Sequence, residues 1–371
     1  MYTYDEFWDL MKWTYPISQW TLKLPISTNI IEIASLDTNK LLMESKKIIQ
    51  DLCDKISSSP DIKISFIEKN WELWLKKLLS NTFTWVVRLD CVLDQSGNTK
   101  ILEINADYPD WLLMHDFTYS VISGFPTIKN LAMYQQLFDK NHTIFVLYKK
   151  WTFFVDAYYT EYYLLQQLWY TCYIWTEEDL TFDDWNVFFK WNIIHVIRRC
   201  MEIWKFTEWF LHDLSSYNVH FINSFDLRIL WYKNLLQEIE SPSIPKTFVI
   251  HHNNIDILLA HKDSYVIKPS NLFEWKGVYI GKYCEPKDWE LAVKNSIHNN
   301  YIAQEFIDMQ KMKVQMYDNW SIVEKELYFD VCPHIFVKDG KVIWDGLILM
   351  RFSENRILNV AQWWGIWYLK I

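Results

Sequence analysis

Glycine is nearly missing from this chain: 371 residues contain 7 Gly and 22 Trp. Ordinary usage of about 7% would supply roughly 26 glycines. Tight turns and close backbone approaches need positive φ or the absence of a β-carbon, and glycine supplies both without steric cost. Here tryptophan stands where turns are expected. Trp275 interrupts the loop Asn271-Leu272-Phe273-Glu274-Trp275-Lys276-Gly277, Trp111 follows Tyr108-Pro109-Asp110, and Trp363-Trp364-Gly365 reads like a triple-glycine turn. Glycine and tryptophan together come close to one normal glycine complement. A stop codon reassigned to glycine but translated as tryptophan produces this pattern, and the many Ile, Asn, Lys, Tyr and Phe fit an A/T-rich coding sequence. The alternative is a genuinely Trp-rich protein. We therefore read the sequence both ways, taking Trp71 and Trp289, in helical contexts, as true tryptophans.

Half the residues are hydrophobic and 22% are charged, enough for two or three domains with a substantial core. A net charge of -9 argues against non-specific binding to nucleic acid or an anionic membrane. The acidic start, Met1-Tyr2-Thr3-Tyr4-Asp5-Glu6, lacks the basic-then-apolar signature of a signal peptide, and no uncharged apolar run is long enough to span a bilayer. Six scattered cysteines without a CxxC pair favour reduced thiols, so the expected location is cytoplasmic.

Helical spacing of Leu41, Leu42, Ile48, Ile49 and Leu52 opens a helical region over about 36–80, broken at Ser57-Ser58-Ser59-Pro60. The period then changes to two. Residues 86–94 and 100–105 read as strands joined by the turn Gln95-Ser96-Gly97-Asn98. An apolar strand over 143–148, a helix over about 157–168 and a strand over 170–174 give the alternation of a parallel sheet of roughly Rossmann type. Pro242 and Pro245 mark a boundary before strands expected at 265–268, 278–280, 301–306, 335–338 and 341–343.

The hairpin carries chemistry on one face. Alternation places Arg88 with Asp90, and Glu103 with Asn105 on the returning strand. Two carboxylates and an amide are hard oxygen donors suited to Mg²⁺, and a neighbouring arginine can stabilise a transferring phosphoryl group. Cross-strand salt bridges on an exposed hairpin are the simpler reading. Lys268, in Tyr265-Val266-Ile267-Lys268-Pro269, precedes a loop ending in Lys276-Gly277; a lysine beside such a loop can neutralise phosphates, though the GxxxxGK[ST] order is absent. The polar pair Gln304-Glu305 lies inside an apolar strand that can flank an adenine ring.

In this order and spacing, Arg88-x-Asp90, Glu103-x-Asn105-x-Asp107-x-Pro109, Lys268-Pro269 with its loop and Gln304-Glu305 resemble the circularly permuted ATP-grasp ligases, over about residues 85–371. The likeness is to the synthetase part of glutathionylspermidine synthase, in which the metal-binding half precedes the nucleotide-binding half. Trp231-Tyr232-Lys233-Asn234 looks like that family's Gly-Asn-Lys segment, and Val196-Ile197-Arg198-Arg199 resembles a double-arginine segment of related permuted grasp proteins. The resemblance implies an α/β fold with a helical N-terminal region and the metal-binding half of the grasp over 1–140, a Rossmann-like unit over 141–225, and the nucleotide-binding region over 226–371. It implies ATP and Mg²⁺ as cofactors and small-molecule carboxylate and amine substrates. Asp90, Glu103 and Asn105 would ligate Mg²⁺, and Arg88 would steady the γ-phosphate and the acyl-phosphate transition state. Lys233, Lys268 and Gly277 would hold phosphates, and Gln304 and Glu305 would lie at the adenine hinge. Arg351 is a further residue expected to point into the site. Arg198 and Arg199 have two readings, a carboxylate-binding pair or surface ion pairs. If the tryptophans stand as written, an indole at position 275 obstructs the phosphate loop, and the alternative is a catalytically inactive grasp protein acting as a binding or scaffold module.

Overall fold

Asp37 starts the first helix: its carboxylate accepts the Lys40 amide at 2.9 Å, capping α1 (Thr38–Ser58). Leu41, Leu42, Ile48, Ile49, Leu52 and Ile56 form the buried stripe of α1 at helical spacing. Pro60, at the first helical position of α2 (Pro60–Lys69), supplies a preset φ where its missing N–H costs nothing. The chain is seen in a computed structural model that describes residues 33, 36–70, 72–79, 82–107, 131–148, 155–183, 185–200, 210, 216–272, 277–318, 321–356 and 365–368.

Strands β1 (Trp85–Leu93) and β2 (Thr99–Asn105) form the expected antiparallel hairpin. Its turn is fixed by Asp94, whose Oδ1 accepts the amides of Ser96 and Asn98, both at 2.9 Å. Helix α3 (Leu131–Leu137) leads to β3 (Ile144–Leu147), and α4 (Val155–Gln167) crosses to β4 (Cys172–Trp175), parallel to β3. A meander follows, β5 (Leu180–Asp183), β6 (Asn186–Phe189) and β7 (Asn192–Ile194). Strands β8 (Val196–Arg199) and β9 (His220–Ile222) complete a parallel sheet of order β4-β3-β8-β9. All four residues of β3 are buried, as a parallel strand covered on both faces requires.

Helix α5 (Leu227–Trp231) brings the chain to a second, antiparallel sheet of order β10-β13-β11-β12. Its members are β10 (Thr247–Val249), β11 (Tyr265–Pro269), β12 (Tyr279–Ile280) and β13 (Tyr301–Glu305), with α6 (Ile255–Ala260) and α7 (Pro286–Ser296) between them. Trp289, Ala292 and Val293 of α7 pack on Ile250, Leu258, Ile267 and Ala303 in a separate small core. The last four strands are β14 (Lys311–Asp318), β15 (Ser321–Lys338), β16 (Lys341–Ser353) and β17 (Gly365–Tyr368). They join the hairpin in a six-stranded sheet of order β17-β16-β15-β1-β2, with β14 on β15. The strands expected at 335–338 and 341–343 are thus only the tips of β15 and β16. The remainder of both strands is largely apolar, with Phe329, Val331, Ile348 and Met350 buried, and is interrupted by Asp330, Pro333 and Gly346, which break a simple strand pattern. Among the described residues no helix is long and apolar enough to cross a membrane.

The backbone separates the tryptophans into kinds. Trp169 has φ +62 and follows α4; its amide donates to Gln166 O at 2.9 Å and the Tyr170 amide to Leu165 O at 3.0 Å. That is the Schellman pattern, whose left-handed residue is usually glycine. Trp185 has φ +67 in the two-residue turn between Asp183 and Asn186. Gly340, with φ +76, fills the same place in the turn between Lys338 and Lys341. Trp85 also has positive φ, +143. Trp289 differs: it lies buried in a helix and its Nε1 donates to Leu258 O at 3.0 Å. Positions 71, 111, 275, 363 and 364 lie outside the described residues.

Candidate functional site

The β1–β2 register sets the site. Asp90 lies directly opposite Glu103 and Arg88 opposite Asn105, so all four side chains share one face. Arg88 Nε donates to Asp90 Oδ1 at 2.8 Å. From β16, Arg351 Nη2 donates to Asp90 Oδ2 at 2.7 Å, so Arg351 joins the cluster as expected. Burial pushes the Asp90 carboxyl up, but Arg351 and Arg88 more than reverse this and hold it well below the usual carboxylate range.

Two lysines from the other sheet region meet this face. Lys233, buried just after α5, lies 3.5 Å from Glu103 Oε1 and donates to Leu272 O at 2.7 Å. Lys268 of β11 donates to Leu102 O at 2.9 Å, beside Glu103, and to Gln304 Oε1 at 2.9 Å. Burial lowers the Lys268 ammonium to about 8; Glu103 opposes the shift, Lys233 adds to it and Asp90 opposes it. Gln304 is buried and its Nε2 donates to Thr247 Oγ1 at 3.1 Å, so its side chain faces Lys268 and β10. Glu305 ends β13 with an exposed side chain, and its amide donates to Lys246 O at 2.9 Å. Gly277 has φ +74, and an added β-carbon there would collide with the Tyr301 hydroxyl. Its neighbours 273–276, including Trp275, lie outside the described residues.

Arg198 and Arg199 are not gathered here. Arg198 donates from Nε to Glu161 Oε1 at 2.7 Å and stacks 3.7 Å from the centre of the Trp85 ring. Arg199 Nη2 donates to Asp107 Oδ1 at 2.7 Å. Both are buried, so these are interior ion pairs and not the surface pairs that form one of the two readings. Three residues without a sequence signal complete the two clusters. Asp330 of β15 pairs with Arg351 directly across the β15–β16 ladder. Glu72 and Arg228 extend the Asp107 network. Strand alternation puts Asp330 on a face with Tyr328, but only the β15–β16 pairing reveals its partner.

The donor set fits a hard divalent cation. Asp90 and Glu103 offer carboxylate oxygens and Asn105 an amide oxygen on the same face, while the buried Asn105 Nδ2, which has no partner among the described residues, is free to donate to an acceptor such as a phosphate oxygen. Two carboxylates and an amide leave positions for phosphate oxygens and water, the usual Mg²⁺ arrangement with nucleotides. Lys233 approaches the Glu103 carboxylate and Lys268 the neighbouring Leu102 carbonyl, so two cations stand at the edge of the carboxylate face.

No protein-family model matches the chain, and no curated protein matches its sequence. Among solved structures the chain is similar to a glutathione synthetase-like effector from Globodera pallida in its apo form. That match has 12% identity, covers 99% of this chain and 96% of that one, and has a TM-score of 0.58. The fold is ATP-grasp-like. Two further similarities are partial: a D-cycloserine synthetase (18% identity, 44% of this chain, 59% of that one, TM-score 0.31) and D-alanyl-alanine synthetase A from Vibrio cholerae O1 biovar eltor str. N16961 (14%, 52%, 68%, 0.31). At that TM-score neither bears on the fold of this chain.

Proposed function

We propose that this protein is an ATP- and Mg²⁺-dependent carboxylate–amine ligase on a circularly permuted ATP-grasp fold, of the glutathionylspermidine synthase kind, working in the cytoplasm on small molecules. The observation that carries the reading is the convergence of Asp90, Glu103 and Arg88 with Lys233, Lys268 and Arg351, brought from distant stretches of sequence onto one face. The order of the two halves supports the permutation: the carboxylate hairpin precedes the lysine-bearing sheet. Residues 1–140 would supply the helices and the metal-binding hairpin, 141–225 a Rossmann-like unit, and 226–371 the nucleotide-binding region. Strands β14–β17 of that last region complete the hairpin's sheet.

The reaction transfers the γ-phosphoryl of ATP to a carboxylate oxygen, giving an acyl phosphate and ADP. An amine then attacks the acyl carbon, phosphate leaves, and an amide and a proton are produced. Asp90, Glu103 and Asn105 would hold Mg²⁺, which when bound neutralises nucleotide phosphates. Lys233 and Lys268 would neutralise phosphate oxygens, and Gly277 leaves open a space beside the Tyr301 hydroxyl that a β-carbon would fill. Arg88 and Arg351 stabilise charge on the transferring group. Gln304 orients the Lys268 ammonium, and Glu305 ends the strand beside the adenine position. Arg198 and Arg199 act in this account through packing of the parallel sheet.

Hydroxylamine trapping tests the reading. Incubation with MgATP, a carboxylate panel and hydroxylamine yields ADP and a hydroxamate if an acyl phosphate forms, and neither product with Asp90→Asn or Glu103→Gln. A stable phosphorylated product without hydroxamate marks a phosphotransferase. Nucleotide binding without turnover marks a binding module.

A further inference from the structure

Arg351 stands between two carboxylates of unequal exposure. Its Nη2 reaches Asp90 Oδ2 at 2.7 Å, while its Nε donates to Asp330 Oδ2 at 2.9 Å and its backbone N–H to Asp330 Oδ1 at 3.1 Å. Asp330 is thus bonded to both the main chain and the side chain of Arg351, which fixes the arginine's rotamer as well as its charge. The Asp330 side chain is 3% exposed and that of Asp90 16%, so the chain of ion pairs runs from a sealed end to an open one.

Both Asp90 oxygens are already taken, Oδ1 by Arg88 and Oδ2 by Arg351. A carboxylate so held accepts a metal ion only by giving up an arginine contact. Among the described residues the Arg88 guanidinium donates only to Asp90, whereas Arg351 has a second carboxylate behind it. Losing a buried arginine's only counter-charge is costly, and losing one of two is far less so.

We infer that Asp330 is a positioning residue: it anchors Arg351 beside the site so that Asp90 can exchange that arginine for a divalent cation. This rests on the assignment of Asp90 as a metal ligand made above. Asp330 touches neither phosphate nor metal in this scheme and acts through Arg351 alone. Without it Arg351 would have only Asp90 to neutralise it and would compete with the cation for the same oxygen.

The test is Mn²⁺ binding to the full chain, followed by electron paramagnetic resonance with and without the non-hydrolysable ATP analogue AMPPNP, so that turnover is not the readout. Asp330→Asn is expected to bind Mn²⁺ about tenfold or more weakly. The double variant Asp330→Leu with Arg351→Met removes the competing cation together with its anchor, and its Mn²⁺ affinity is expected to return to that of the wild type or better. Arg351→Met alone is expected to bind Mn²⁺ more tightly than wild type without nucleotide; it carries the test if Asp330→Asn does not fold. Wild-type affinity in Asp330→Asn, a double variant as weak as Asp330→Asn, or weaker binding in Arg351→Met would overturn the inference. Failure of the wild-type protein to bind Mn²⁺ would overturn the metal assignment itself, a result distinct from any of these.

Discussion

Two ionic clusters sit near the C-terminal end of β2, built from the same residue types and arranged differently. Around Asp107 both carboxylate oxygens are taken, although the buried Oδ1 of the neighbouring Asn223 has no partner among the described residues. Asp107 Oδ1 takes Arg199 at 2.7 Å, Asp107 Oδ2 takes Arg228 at 3.0 Å, and Arg228 also grips both oxygens of Glu72, at 2.6 and 3.0 Å. The Tyr232 hydroxyl adds a further bond to Glu72. Burial works against the Arg228 cation, and Asp107 and Glu72 more than offset it. Around Asp90 and Glu103 the arrangement is open: the Glu103 side chain is 24% exposed, Asn105 keeps an unpartnered amide nitrogen, and buried Lys268 holds its proton weakly. Arginine and carboxylate at a strand end do not by themselves mark a site. Access does: the Glu103 carboxylate is reachable from outside and that of Asp107, 3% exposed, is not.

The largest effect expected from breaking this contrast is in the closed cluster. Asp107→Asn leaves Arg199 and Arg228 under-neutralised and should cost about 3–5 kcal/mol of folding stability. Chemical denaturation measures this, and Mn²⁺ affinity of the protein that remains folded should be unchanged. In the open cluster the pattern reverses. Asp90→Asn or Glu103→Gln should lower nucleotide turnover by about a hundredfold or more, and Glu103→Gln, which strips no buried arginine of its counter-charge, should do so with a smaller stability loss than Asp107→Asn. A stability loss in Glu103→Gln as large as that of Asp107→Asn would erase the distinction between the clusters.

The pH dependence sharpens it further. Lys268 in the folded protein titrates near 8, below its ordinary value of 10.5. Between these values the unfolded chain binds more protons than the folded one, so this residue makes stability rise with pH across that window. Its positive charge is lost over the same range, so ATP affinity should fall as pH rises through about 8. Lys268→Met should bind ATP weakly and flatten both trends, as titration calorimetry and thermal melts across pH would show. The smallest effect concerns the turns. Trp185→Gly and Trp169→Gly should each stabilise by about 1–2 kcal/mol, since positive φ burdens any residue with a β-carbon. Trp289→Gly is the opposite control and should destabilise, through the cavity it leaves in the small core. Peptide masses showing glycine at 169 and 185 in the native protein would establish the recoded reading directly.

The legible parts of this molecule were local. The β1–β2 hairpin announces itself through alternation and the Asp94-to-Asn98 turn, and with it the face carrying Arg88, Asp90, Glu103 and Asn105. Strands β11 and β13, with Lys268 and Gln304, are short apolar runs between clear breaks. What stayed hidden depends on distant partners. Asp107 draws on Arg199 and Arg228, more than ninety residues away, and the Asp330–Arg351 pair exists only through the register of two long strands. Strand β14 carries an alternating apolar signal in Met312, Val314 and Met316, but its charged residues pair only across the ladder, as Lys313 does with Glu326. Arg198 and Arg199 show the same limit: a double arginine on a strand gives no sign of whether Glu161 and Asp107 wait in the interior.

The most direct test of the account is calorimetric titration of AMPPNP into the wild-type protein and Asp90→Asn, each with and without Mg²⁺. The account predicts tight binding that requires Mg²⁺ in the wild type and is weakened about tenfold or more in Asp90→Asn. Binding that ignores both Mg²⁺ and the Asp90 substitution, or no binding by a folded wild-type protein, would contradict it.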